Sequence, residues 1–153
     1  MHEALTLLGE LHDEDLEWLL EAGHETTVDA GAEIITEERD PDHLYVVLSG
    51  LVGVRVASLG EAPLARLGPG ELLGEISFLE SAPASATAAA MEPTTLLAIP
   101  RAALAARLES DAAFGARFYK ALALLGARRL RERVGALGSR QSALPDQGGK
   151  GLG

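Results

Sequence analysis

The sequence predicts a mainly β domain, an antiparallel sandwich or barrel flanked by helices. Between His24 and Pro100 the hydrophobic period is two, in short runs rich in Val, Ile and Thr. Turn clusters separate these runs at Ala30-Gly31, Asp40-Pro41-Asp42, Ser49-Gly50, Leu59-Gly60, Gly68-Pro69-Gly70 and Glu92-Pro93. On either side of this region the apolar spacing lengthens to that of amphipathic helices.

The elements follow in order. The stretch DEDLEWLLEAG from Asp13 has acidic residues in its first turn, an apolar stripe at Leu16, Leu19 and Leu20, and Gly23 as a stop. Trp18 lies on this short helix and reads as partly buried packing. Strands are expected at 26–28, 33–36, 43–48, 51–57, 64–67, 86–91 and 94–99. In the run 51–57, Val52, Val54 and Val56 alternate with Gly53 and Arg55, so inward valines place Arg55 toward solvent. Pro100 then stands where a helix can begin, ahead of RAALAARLES.

A longer helix is expected from Asp111 to about Leu137, capped by Ser110 or Asp111. Its first half carries one apolar stripe, Phe114, Phe118, Ala121, Leu122 and Leu125. Its second half carries another, Ala123, Ala127, Leu130, Val134 and Leu137, whose spacing alternates four and three as in a coiled coil. One stripe suits packing on the β body and the other a partner helix, so a homodimer through Ala123, Ala127, Leu130, Val134 and Leu137 is expected. Residues 138–153, GSRQSALPDQGGKGLG, lack periodicity and are expected to be a disordered tail. The domain therefore spans 1–137, with the β region at about 24–100 and the long helix at about 111–137.

Composition narrows the function. The chain of 153 residues suits one domain with a real core, and the scarcity of aromatics leaves that core to Leu, Val, Ile and Ala. No cysteine is present, which removes disulfides, thiolate metal sites and thiol catalysis. No apolar run approaches the roughly 20 residues of a membrane span, and the acidic start Met1-His2-Glu3-Ala4 shows no secretory signal. A soluble, cytoplasmic protein is the expectation. The net charge of −10 is uneven, since residues 1–100 hold only Arg39, Arg55 and Arg66 as cations while Arg128, Arg129, Arg131 and Arg133 cluster late. An acidic body opposes nonspecific nucleic-acid binding, and the arginine cluster reads as a solvated helix end favoured by the macrodipole.

The histidines, His2, His12, His24 and His43, include no pair spaced to converge on a metal with a carboxylate. Neither a Gly-x-Ser-x-Gly elbow nor a Gly-x-x-x-x-Gly-Lys loop is present. No catalytic residue, metal or cofactor is assigned, and the chain is not expected to be an enzyme.

One segment points to a ligand. In GEISFLESAPASATAAA, residues 74–90, a Gly-Glu pair opens a short helix and a small-residue strand follows Pro83. A helix start with free N–H groups beside hydroxyls suits an anion. Together with the first helix, the turn at 37–42, YVVLSGLVGV at 45–54 and LGPGELLGEISFL at 67–79, this order of segments resembles the cyclic-nucleotide-binding domain, the sensor module of Crp-type regulators, kinase regulatory subunits and gated channels. The resemblance covers about residues 8–137. It implies an antiparallel jelly-roll β-barrel (a double-stranded β-helix) with an N-terminal helix, a short cassette helix and C-terminal helices.

It also implies a nucleotide-type pocket at Gly74, Glu75, Ile76, Ser77, Ala84, Ser85 and Ala86. By that resemblance Glu75 would accept from a ribose hydroxyl, the amides around Ile76 and Ser77 would face the cyclic phosphate, and Ser85 would add a hydroxyl. The family's phosphate-gripping arginine, however, falls at Ala84, and Arg55 and Arg66 sit at outward positions. The expectation is therefore a dimeric regulatory module with a degenerate phosphate cassette, for which cyclic AMP, cyclic GMP or another small ligand binds weakly or in altered fashion. The alternative is a non-binding interaction and dimerisation scaffold of the same fold, with a protein partner the sequence does not name. A Crp-type helix-turn-helix would follow the long helix. Residues 138–153 are too few for one, so DNA binding by this chain is not expected.

Overall fold

The computed structural model describes residues 9–143, with side chains other than those of residues 133 and 136–143. The chain divides into two compact units, Met1–Ala121 and Leu122–Gly153.

In the first unit, α1 (Asp13–Ala22) begins where the His12 amide donates to Asp15 Oδ2 at 2.9 Å, and it ends at Gly23, whose amide donates to Leu19 O. Eight strands follow: β1 (His24–Val28), β2 (Glu33–Ile35), β3 (His43–Ser49), β4 (Val52–Arg55), β5 (Ala65–Leu67), β6 (Leu72–Leu73), β7 (Thr87–Ala90) and β8 (Thr94–Pro100). A short 3-10 turn, Ala57–Leu59, lies between β4 and β5. The cassette helix α2 (Glu75–Glu80) lies between β6 and β7, and α3 (Arg101–Ser110) and α4 (Ala112–Ala143) close the described chain.

The strands form two four-stranded antiparallel sheets, in the orders β1-β8-β3-β6 and β2-β7-β4-β5. The antiparallel jelly-roll arrangement with flanking helices is thus present, but as two facing sheets and not as the closed barrel expected. The register explains the two cores. Pairing Leu44 with Ile99 and Val46 with Leu97 puts these four side chains on one face, and α1 and α3 lie against β8. The alternate residues, Tyr45, Val47 and Leu96, turn inward between the sheets. There they join Ile35, Val52, Leu73, Ala84 and Ala88 in one apolar cluster. Thr94 is fully buried at the start of β8, donating to Glu92 O at 2.8 Å and accepting from the Leu51 amide at 3.3 Å.

The first turns of α4 fasten the helical layer. The Asp111 carboxylate caps the helix by accepting from the Phe114 amide at 3.0 Å, as its sequence position implied. Phe114 and Phe118 are buried, their rings stacked 5.6 Å apart, and half-buried Trp18 meets Phe114 edge-on at 5.7 Å. Beside them Arg117 forks onto Asp15, Nε to Oδ2 at 2.7 Å and Nη2 to Oδ1 at 2.9 Å. The guanidinium holds the Asp15 carboxyl below its usual range despite its burial, with the His12 amide assisting.

In the second unit, α4 continues. Leu122 and Leu125 are buried, whereas Ala123, Ala127, Leu130 and Val134 of the second stripe are exposed. The Leu137 side chain lies outside the described residues. The helix runs to Ala143, six residues past the end expected, so 138–143 are helical and only 144–153 of the expected tail lie outside the described residues. Extending a helix needs no new nucleus, and Arg140, Gln141 and Ala143 are good helix formers that offset the roughly 1 kcal/mol cost of Gly138. Among the described residues no helix is long and apolar enough to cross a membrane.

Candidate functional site

The segment from Gly74 to Ala86 is positioned by its neighbours. Gly74 precedes the cassette helix with φ +88°, a left-handed conformation that side chains resist. A Cβ there would also stand 3.3 Å from both His43 O and Ile35 Cδ1. Glycine is therefore required twice over, by torsion and by close approach. The helix ends at Ser81, also left-handed with φ +53°, and its amide donates back to Ser77 O.

Of the expected pocket residues, Glu75, Ser77 and Ala84 are buried, Gly74 and Ala86 are half-buried, and Ile76 and Ser85 are exposed. Glu75 lies in the first turn, where the helix dipole favours a carboxylate. The Ser77 hydroxyl donates to Ala82 O, a contact that closes the helix exit. The Ser77 carbonyl accepts from the Ser81 and Ala82 amides and from Arg101 Nη2 at 3.1 Å.

Ala84 is 7% exposed and belongs to the apolar cluster between the sheets. Its backbone is bracketed by the β2–β3 loop: the Ala84 amide donates to Arg39 O at 2.9 Å, and the Glu38 amide donates to Ala84 O at 2.8 Å. Glu38 takes φ +69° to reach it. Next along, Thr87 Oγ1 accepts from the Glu37 amide at 3.0 Å. The cassette exit is thus sewn to the loop 37–39 while its side chain at position 84 faces dry surroundings. Arg39 and Arg66 are exposed, and Arg55, as its alternation implied, faces outward to pair with Glu33 at 3.1 Å.

Two cavities flank this segment without including Glu75 or Ala84. The larger, about 820 Å³, is a groove between the cassette side (Phe78, Leu79) and the helical side (Arg101, Ala105, Tyr119). The smaller, about 360 Å³, lies under the β2–β3 loop against Ile35, Arg39, His43 and Tyr45. In its wall the His43 ring lies 5.8 Å from that of Tyr45, and on the sheet it also meets the His24 ring edge-on at 5.7 Å. Burial, reinforced by Asp42, raises the Tyr45 phenol. Among the described residues no cluster of His, Asp and Glu is arranged to hold a metal ion.

Arg101 is the residue that sequence reasoning missed. It has no short-range signature, because its partners lie in the loop 41–42 and in the cassette helix, and only the pairing of His43 with Pro100 brings them together.

Comparison with known proteins agrees with this geometry. A model of the cyclic nucleotide-binding domain matches residues 25–111. The cyclic AMP receptor protein of Thermus thermophilus is 48% identical over 94 residues, covering 58% of this chain and 40% of that protein. A cAMP-dependent protein kinase regulatory subunit of Yarrowia lipolytica is 34% identical over 100 residues, covering 62% of this chain and 24% of its own length. The crystal structure of the Thermus thermophilus catabolite activator protein superposes with a TM-score of 0.68 at 34% identity, covering 88% of this chain and 62% of that one. The chain thus spans well under half the length of the two relatives matched by sequence. Over the matched residues, which include both sheets and the cassette, the chain belongs to the cyclic nucleotide-binding domain family.

Proposed function

We propose that this domain is a cytoplasmic, non-catalytic regulatory module, dimeric through the exposed stripe of α4, whose phosphate cassette grips a cyclic nucleotide weakly or in altered fashion. The relatives are named for cyclic AMP, so cyclic AMP and cyclic GMP are the ligands to test. The observation that carries the reading is Ala84: where a phosphate-binding family member would place a cation, a buried methyl completes an apolar cluster. Losing one side of a buried charged pair costs about 2–5 kcal/mol. At about 1.4 kcal/mol per decade, a micromolar ligand falls to between about tens of micromolar and a few millimolar.

Titration calorimetry with each nucleotide tests this. Weak but measurable binding is expected, with dissociation constants from about tens of micromolar to a few millimolar. Saturable binding near or below about ten micromolar sinks the weak-cassette reading.

A second reading, a protein-interaction scaffold with no small ligand, is favoured by one observation. Leu130 and Val134 are 64% and 58% exposed on a helix that also presents Arg128 and Arg131. Apolar side chains this exposed at heptad spacing suit a partner helix. The two readings share the dimer and differ in the pocket, so calorimetry separates them.

A further inference from the structure

The contacts of Arg101 join the cassette helix, residues 41–42 of the β2–β3 loop and the start of α3. Its guanidinium donates to Ser77 O at 3.1 Å, to Pro41 O at 3.2 Å and, more weakly, to Ser77 Oγ at 3.5 Å. It also stands 5.8 Å from the centroid of the Phe78 ring. Its own amide donates to Asp42 O at 2.8 Å, and it is the first residue of α3. One side chain thus ties the middle of the cassette helix to the β2–β3 loop, and its backbone fixes the start of α3 to the same loop.

The chemistry of the tie is specific. The acceptors given are two carbonyls and a hydroxyl, so the bonds are charge-assisted yet need no acidic partner. The planar fork lets one residue reach acceptors from two directions, which a lysine ammonium on a single flexible stem does not reproduce. Ser77 O, already used by the Ser81 and Ala82 amides, is the carbonyl on which the cassette exit is built, so Arg101 grips the cassette where its helix ends. The cassette and α3 meanwhile flank an open groove of about 820 Å³, so the strap crosses where close packing between them is interrupted.

We propose that Arg101 is a positioning residue that makes the cassette helix and α3 move as one body. A displacement that starts at Gly74 or Glu75 then reaches Leu104 and the rest of α3 through Ser77 and Arg101. The tie is made of this chain's own groups, so it operates whether or not a nucleotide binds, and its test is independent of the weak-cassette reading.

The test is amide hydrogen exchange on the full chain in four proteins: unmodified, Arg101→Gln, Gly74→Ala and the double variant. In Arg101→Gln, exchange should rise about tenfold or more, the scale of a lost charged hydrogen bond, both in residues 77–82 and at the start of α3. Amides of β8 between Leu96 and Ile99 should keep their protection and report that the fold is intact. Gly74→Ala disturbs the cassette through its torsion and should raise exchange in α3 when Arg101 is present. In the Gln background it should leave α3 unchanged. Equal effects of Gly74→Ala on α3 in both backgrounds overturn the proposal, as does cassette exchange that Arg101→Gln does not alter. Should Gly74→Ala not fold, Ser81→Val, which strains the left-handed exit of the cassette helix at φ +53° and leaves the groups bonded by Arg101 in place, serves as the alternative cassette perturbation with the same two outcomes.

Discussion

Placing an arginine at position 84 tests the proposed reading of the cassette most directly. Ala84 is 7% exposed among Ile35, Val47, Val52, Leu73, Ala88 and Leu96, and its backbone is fixed on both sides by Arg39 O and the Glu38 amide. An added side chain has no freedom to retreat by moving the backbone. Overpacking a filled core costs about 1–3 kcal/mol, and a guanidinium without a partner in such surroundings adds a desolvation term. For a chain of this size each kcal/mol lowers the melting temperature by roughly 2–4 °C, so Ala84→Arg should lose roughly 2–12 °C from bulk alone. Ala84→Met, matched in bulk but uncharged, separates the two terms and should lose less.

Cyclic AMP then provides the reversal. A ligand that binds only the folded state at a hundred times its dissociation constant contributes about 2.7 kcal/mol, and at a thousand times about 4.1. If the cassette is a phosphate site lacking its cation, millimolar cyclic AMP should restore much of the melting temperature of Ala84→Arg. The unmodified protein should move little, and Ala84→Met not at all. Scanning calorimetry with and without the nucleotide reads all three. An Ala84→Arg protein as stable as the parent contradicts the dry environment assigned to the position. A parent stabilised by cyclic AMP as much as the variant refutes the role given to the missing cation.

Other expectations test the frame around the site. Replacing Leu130 and Val134 together by Glu should convert a dimer to a monomer in sedimentation velocity, and an unchanged species rejects the α4 stripe as the interface. Asp15 is held below its ordinary value of 3.8 by Arg117, so its contribution is present above that pH and disappears as pH falls through the lower folded-state value. Urea unfolding of Arg117→Met should therefore fall short of the parent at neutral pH, with the two converging in acid. A constant gap across that range contradicts the pairing. Gly50 and Gly31 both have positive φ, +102° and +91°, but a Cβ at Gly50 meets Thr94 Oγ1 at 2.5 Å while one at Gly31 meets nothing. Gly50→Ala should cost clearly more than the strain of about 1 kcal/mol expected of Gly31→Ala, and equal losses would mean that torsion alone governs both.

What the sequence disclosed depended on the range of the interaction responsible. Alternation is a two-residue signal, so Val52 and Val54 declared an inward face and Arg55 an outward one, and the structure agrees. Caps are also local, and Asp111 was visible as one. The two-residue strand Leu72–Leu73 has too short a run to alternate, and it exists because Tyr45 and Val46 offer a paired edge. The strand expected at 51–57 is shorter in the structure, because Val56 and Ala57 continue the pattern whereas the ladder of β4 stops at Arg55 opposite Thr87. The least legible features were the arginine ties: Arg117 meets Asp15 across 102 positions and Arg101 meets Pro41 across 60. Such charges read as solvated helix surface until the fold brings their acceptors alongside.

The cassette shows why its motif is a poor gauge of ligand binding when read as a unit. Gly74 is required by its φ of +88° and by the approach of Ile35 and His43 O. Ser77 is occupied in closing the helix onto Ala82 and Arg101, and Thr87 in holding the Glu37 amide. Each of these residues has a reason to be where it is that involves no ligand, so finding them together reports on the fold. Position 84 is different in kind. Its backbone bonds to Arg39 and Glu38 can be made by any non-proline residue, so the side chain there is free of that constraint. With the backbone indifferent, the choice between methyl and guanidinium is decided by what the space between the sheets must hold. Here that space holds Ile35, Val47, Val52, Leu73, Ala88 and Leu96. A phosphate placed against such a wall gains none of the charge-assisted bonds that would repay its dehydration. On the proposed reading, an alanine at this position keeps the fold and lowers the affinity.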